Sequence, residues 1–214
     1  MALNITLYGI VDPQIARGRS LARLARAATD GGTTIIQYRA KEAVTRAMIA
    51  EARGIVAALS GTNVPLLIND RVDVALASGA QGVHLGREDM HPADARALLG
   101  PQAIIGATVK NRDDLLALRG QPIDYACIGG VFATSHKDNP DPPLGIHGFR
   151  ALRAEARELL GHIPVGAIAG ITVENAGSLM EAGADGVAVI GALFAGEDPC
   201  RAAKAFSPVL RRAA

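Results

Sequence analysis

Short apolar runs alternate along the chain with longer stretches in which apolar side chains recur at helical spacing. The runs are LYGIV (7–11), TTIIQYR (33–39), PLLIND (65–70), GVHLG (82–86), AIIGAT (103–108), DYACIGG (124–130), PVGAIAG (164–170) and GVAVIGA (186–192). The stretches between them predict helices over 15–29, 42–59, 71–78, 92–99, 112–118, 147–160, 173–181 and 198–212. In the first, Leu21, Leu24 and Ala28 form one stripe; in the second, Ala43, Ala47, Ala50 and Val56 lie near one face. Continuously apolar strands separated by helices are the pattern of parallel strands covered by helices.

A repeat adds closure to this alternation. Ser78-Gly79-Ala80-Gln81-Gly82-Val83 returns as Ala182-Gly183-Ala184-Asp185-Gly186-Val187, an offset of 104 residues in a chain of 214. Each copy reads as a helix C-cap glycine followed by a turn into a strand. The copies precede the fourth and eighth strands. Two similar halves of four strands predict an α/β protein, a single (β/α)8 TIM barrel domain over 1–214. AGA-like tripeptides also recur by chance in Ala/Gly-rich chains. A doubly wound open sheet fits the alternation too, but no GxGxxG turn follows the first strand, which weakens its dinucleotide-binding form.

Composition changes this picture little. The chain is 49% hydrophobic with 3% aromatics and 24 glycines, so its core is aliphatic and closely packed. A formal net charge of +1 lends nothing to nucleic-acid binding. Cys127 and Cys200 form no CxxC pair and no metal spacing, as expected for thiols in a reducing cytosol. The N-terminus lacks a basic lead and a small-residue cleavage site, and no apolar run approaches the ~20 residues of a bilayer span. A soluble, cytoplasmic protein without a membrane partner is expected, with a homo-oligomer left open.

The second strand carries the first chemical signal. Successive strand side chains point to opposite faces, so Gln37, Arg39 and Lys41 share one face while Ile36, Tyr38 and Ala40 share the other. In a barrel, Ile35 fills the lumen and the polar trio climbs out at the C-terminal mouth, where barrels place their chemistry. Asn69-Asp70 ends the third strand, Asp89 follows the fourth, and the sixth runs into Thr134-Ser135-His136-Lys137. Arg39, Lys41 and Lys137 at one mouth repel one another unless an anion such as a diphosphate is present. Asp70 and Asp89, with phosphate oxygens, suit Mg²⁺. Asp70 alone also suits the N-cap of a helix starting at Arg71. Gly170 and Gly191 end the last two strands and would let a phosphate approach the main chain, or simply make turns. His84 lies in an apolar strand, where a core hydrogen bond is a better expectation than a metal. His136 lies where a substrate phosphate could touch it. Residues 138–146 look like a loop that closes over a ligand. No nucleophilic triad can be argued from the order of residues.

Gln37-x-Arg39-x-Lys41, Ile68-Asn69-Asp70-Arg71-Val72-Asp73, Gly82-Val83-His84-Leu85-Gly86-x-x-Asp89, Gly129-x-Val131-Phe132-x-Thr134-x-x-Lys137 and Ala167-Ile168-x-Gly170-Ile171, in this order between Tyr8 and about Phe194, closely resemble the thiamine-phosphate synthase family. The resemblance implies a barrel that joins hydroxymethylpyrimidine diphosphate to a thiazole phosphate, giving thiamine phosphate and diphosphate, with Mg²⁺ as cofactor. It implies that Gln37, Arg39, Lys41, Asn69, Thr108 and Lys137 hold the pyrimidine diphosphate and that Asp70 and Asp89 hold the metal. It places the thiazole phosphate at Thr134, Ser135, His136, Gly170, Ile190 and Gly191. The chain departs from the family pattern at Arg87, Lys110, Gly130, Ala133, Ala169 and Gly191. Three other readings remain: a related aminothiazole tautomerase, which needs no diphosphate site; a non-catalytic barrel that binds thiamine phosphate; and another phosphate-sugar barrel enzyme, which leaves the metal pair unexplained.

Overall fold

In the computed structural model all eight apolar runs become strands, six of them shorter than their runs. Residues 3–134 and 142–210 are described; Ser135, His136, Lys137 and the start of the 138–146 loop lie outside the described residues. The strands are β1 (Leu7–Val11), β2 (Ile35–Tyr38), β3 (Leu66–Asn69), β4 (Gly82–Leu85), β5 (Ile104–Val109), β6 (Tyr125–Ile128), β7 (Val165–Ile168) and β8 (Val187–Val189). All neighbours pair in parallel and β8 returns to β1, closing the barrel. The helices are α1 (Pro13–Ala16), α2 (Leu21–Asp30), α3 (Thr45–Leu59), α4 (Val72–Ser78), α5 (Pro92–Leu99), α6 (Arg112–Leu118), α7 (Gly145–Leu160), α8 (Val173–Glu181), α9 (Gly191–Phe194) and α10 (Pro199–Leu210).

Alternation along each strand sorts the core into two layers. Tyr8, Ile10, Ile35, Leu67, Tyr125, Cys127 and Ala188 pack on one another in the lumen, with Ile5 beneath them. Ile36, Tyr38, Leu66, Ile68, Val83 and Ile105 point outward and pack under the helices, where Leu24, Met48, Ile55 and Phe149 meet them. Burying such an aliphatic side chain contributes about 1.5–3 kcal/mol.

The repeat is structural. Gly79 and Gly183 end α4 and follow α8 with left-handed φ of 77° and 96°, a conformation that costs a side chain but not glycine. A Cβ at Gly82 would collide with the Ile104 carbonyl, and one at Gly186 with the Ile5 carbonyl. Each half therefore uses the same close approach to seat its last strand against the first strand of the other half.

Two elements differ from expectation. The helix expected over 15–29 is broken: Arg17 takes a left-handed φ of 49°, and Ser20 caps a new start at Leu21 by accepting from the Arg23 amide. The break frees Arg19 to donate to the carbonyls of Ala16, Phe194 and Gly196. The strand expected to reach 192 stops at Val189, and α9 begins at Gly191.

Candidate active site

Polar side chains meet at the C-terminal mouth because strand alternation forces them there. Gln37 lies two residues beyond Ile35 on the lumen face, and Asn69 two beyond Leu67. Asn69 pairs in register with His84, and Thr108 with Cys127. Gln37 is 1% exposed.

The charges are paired. Asp12 follows β1 and caps α1, its Oδ1 accepting from the Gln14 amide at 2.9 Å. Its Oδ2 accepts from Arg39 Nη1 at 2.5 Å, and both side chains are largely buried. Lys41 Nζ lies 2.8 Å from Asp70 Oδ2. The expected repulsion between Arg39 and Lys41 is thus corrected: each has a protein carboxylate as counter-ion. Asp12 escaped notice in the sequence because a lone Asp before Pro reads as a helix cap, which it also is.

Asp70 does not cap α4. Arg71 occupies the N-cap position, without a side-chain cap bond. Asp70 instead adopts a left-handed φ of 64°, a strained arrangement for a non-glycine residue. Its carboxyl lies near that of Asp89, close enough for each to shift the other's titration. Asp89 Oδ2 also accepts from the Gly86 amide at 2.7 Å. Burial pushes the Asp70 carboxyl up, but hydrogen bonds with Asp89 and Lys41 and the Lys41 charge outweigh it and hold it below the ordinary range. Burial, the hydrogen bond with Asp70 and its negative charge lift Asp89 above that range. Two carboxyl groups pressed together at a mouth supply hard oxygen donors, which fits Mg²⁺ completed by substrate phosphates and water.

On the opposite side of the mouth, Ala133, Thr134, Ile168, Gly170, Ile190 and Gly191 line a cavity of about 340 Å³. Alanine, glycine, threonine and isoleucine residues line it, and its surface is mostly apolar. Ala169 and Gly170 are both left-handed, with φ of 85° and 66°, and the Gly170 carbonyl accepts from Asn175 Nδ2 at 3.0 Å. Four of the six residues expected around the thiazole phosphate thus border one cavity, and Ser135 and His136 lie outside the described residues. Arg87 is held by a neighbouring carboxylate: its Nε donates to Asp114 Oδ1 at 2.6 Å, while Asp114 Oδ2 accepts from the Lys110 amide at 2.7 Å.

His84 is a core histidine, as expected. Nδ1 lies 2.8 Å from Tyr125 Oη and Nε2 lies 2.9 Å from Thr108 Oγ1. Tyr8 and Tyr125 were not singled out in the sequence, although alternation from Ile10 places Tyr8 in the lumen. Burial drives both hydroxyls well above the ordinary tyrosine range, so both stay protonated.

A family model described as thiamine monophosphate synthase matches residues 7–193. The chain belongs to the thiamine monophosphate synthase family. A thiamine-phosphate synthase from Agrobacterium fabrum is 55% identical over 90% of this chain and 87% of its own length. One from Albidiferax ferrireducens is 44% identical over 93% of this chain and 89% of its own. The solved thiamine phosphate pyrophosphorylase from Pyrococcus furiosus superposes with a TM-score of 0.83 at 33% identity, covering 97% of this chain and 96% of that one. The family match agrees with the barrel. Among the described residues no helix is long and apolar enough to cross a membrane.

Proposed function

We propose that this chain is a thiamine-phosphate synthase that joins hydroxymethylpyrimidine diphosphate to a thiazole phosphate. The C–O bond between the pyrimidine methylene and the diphosphate breaks, a C–N bond to the thiazole nitrogen forms, and diphosphate leaves. The observation that carries the reading is the two-sided mouth: cations and paired carboxylates on the β2–β4 side face a small-walled cavity on the β6–β8 side.

In this reading Gln37, Asn69 and Thr108 orient the pyrimidine ring. Arg39, Lys41 and Lys137 hold the diphosphate and offset the negative charge that builds on it as it departs. Lys41 exchanges Asp70 for the substrate. Asp70 and Asp89 would hold Mg²⁺, which when bound would neutralise diphosphate charge. The aminopyrimidine supports positive charge at its methylene, so no protein nucleophile is required. Thr134, Gly170, Ile190 and Gly191, with Ser135 and His136, hold the thiazole phosphate so that its ring nitrogen faces the methylene. The protein's work is positioning and exclusion of water. A tautomerase would leave the Arg39, Lys41, Asp70 and Asp89 arrangement without a use.

The purified protein, given both substrates and Mg²⁺, should form thiamine phosphate and diphosphate, and chelation should stop turnover. Binding of both ligands without product would show a barrel that binds but does not catalyse.

A further inference from the structure

Beneath the mouth runs a chain of hydrogen bonds that the reaction as written does not use. Gln37 Nε2 donates to Tyr8 Oη. Tyr8 Oη lies 2.9 Å from Tyr125 Oη. Tyr125 Oη lies 2.8 Å from His84 Nδ1, and His84 Nε2 lies 2.9 Å from Thr108 Oγ1. The two phenols and Gln37 are at most 1% exposed. Gly106 makes room for this chain, since a Cβ there would run into the Tyr125 ring.

Proton counting gives the chain a direction. An amide nitrogen only donates, so Tyr8 Oη accepts from Gln37. Each phenol has one proton, and a buried donor needs an acceptor. The Tyr8 proton therefore goes to Tyr125 Oη, the other atom it bonds. The Tyr125 proton then goes to His84 Nδ1. His84 is left neutral with its proton on Nε2, which donates to Thr108 Oγ1. The Thr108 hydroxyl proton consequently points away from His84, and Gln37 keeps its carbonyl oxygen for another partner. Turning the Gln37 amide over would reverse every bond in the series.

We propose that this one-way chain through Tyr8, Tyr125 and His84 sets the donor–acceptor pattern that selects an aminopyrimidine over an oxopyrimidine. The inference rests on the pyrimidine assignment proposed above for Gln37 and Thr108. A 4-aminopyrimidine offers an N–H donor at C4 and, across the ring, an acceptor at N1. Gln37 Oε1 answers the first and Thr108 O–H the second. A 4-oxopyrimidine presents an acceptor at C4 and meets the Gln37 carbonyl oxygen, leaving both without a proton. Tyr8, Tyr125 and His84 are positioning residues: they act through Gln37 and Thr108.

Two measurements test this. In ¹⁵N-histidine-labelled protein, the His84 signal, assigned by its loss in His84→Gln, should be that of the neutral Nε2–H tautomer. An Nδ1–H tautomer or an imidazolium would overturn the direction. In the two-substrate assay, the wild type should prefer the 4-amino over the 4-oxo pyrimidine diphosphate by about a hundredfold in kcat/KM. Tyr125→Phe should cut that preference to about tenfold, through KM for the pyrimidine, with kcat on the amino substrate within about threefold of wild type. Tyr8→Phe breaks the chain one link away and serves where Tyr125→Phe folds poorly. An unchanged preference in a folded, active variant overturns the selectivity role. A wild type inactive on both pyrimidines overturns the proposed reaction and the selectivity with it, while the tautomer still decides the chain's direction.

Discussion

The two sides of the mouth are built from opposite materials. On the β1–β5 side the side chains carry the chemistry: Asp12 with Arg39, Lys41 with Asp70, and Asp70 with Asp89. On the β6–β8 side uncharged residues dominate, with the small Ala133, Ala169, Gly170 and Gly191 leaving a cavity for a ligand to fill. On the first side Arg39 and Lys41 each have a carboxylate partner before any ligand arrives. The second has little of its own to rearrange. A multiply charged leaving group needs fixed counter-charges, whereas a phosphate held by peptide N–H groups needs space.

Breaking the polar side should cost most. Asp89→Ala should lower kcat by about a hundredfold or more and abolish the response to Mg²⁺, with an unchanged circular dichroism spectrum. Full activity in this variant would refute the metal assignment. Arg39→Met should lose about 3 kcal/mol of stability in urea unfolding because it strands a buried Asp12 carboxylate. Adding Asp12→Asn should recover most of that loss, and a double variant no more stable than the single would mean the pair is not what holds Arg39. Lys41→Met, at a half-exposed pair, should cost less than about 1 kcal/mol of stability. The cavity side should respond by gain. Gly191→Ser adds a hydroxyl and should lower KM for the thiazole phosphate about fivefold, roughly 1 kcal/mol, without altering KM for the pyrimidine. Smallest of all, Ala169→Gly should relieve the left-handed φ and raise the melting temperature by about 2–4 °C. No rise would mean that Ala169 is unstrained.

The sequence made the frame legible because the frame is periodic. Alternation from Ile35 to Lys41 placed Gln37 on the lumen face, and continuous apolar runs gave parallel strands. Motifs brought Asp70 and Asp89 forward as neighbours at the strand ends, and the structure does place them near one another. Partnerships across the barrel were not legible, because period says which face a residue occupies and not whom it meets there. Tyr8 and Tyr125 stand 117 residues apart, and Asp12 and Arg39 stand 27 apart. The break after α1 has a local cause that the stripe of Leu21, Leu24 and Ala28 masks: Arg17 and Gly18 are left-handed, and Ser20 starts a new helix.

The matching close approaches at Gly82 and Gly186 make each half of the barrel both plug and socket. Its last strand offers a side-chain-free slot, and its first strand enters the slot of the other half. A half-length chain would carry one of each, so two copies could complete one another around a twofold axis. Gene doubling followed by fusion would then need no new mating surface, and the two sides of the mouth would be free to diverge into their present contrast.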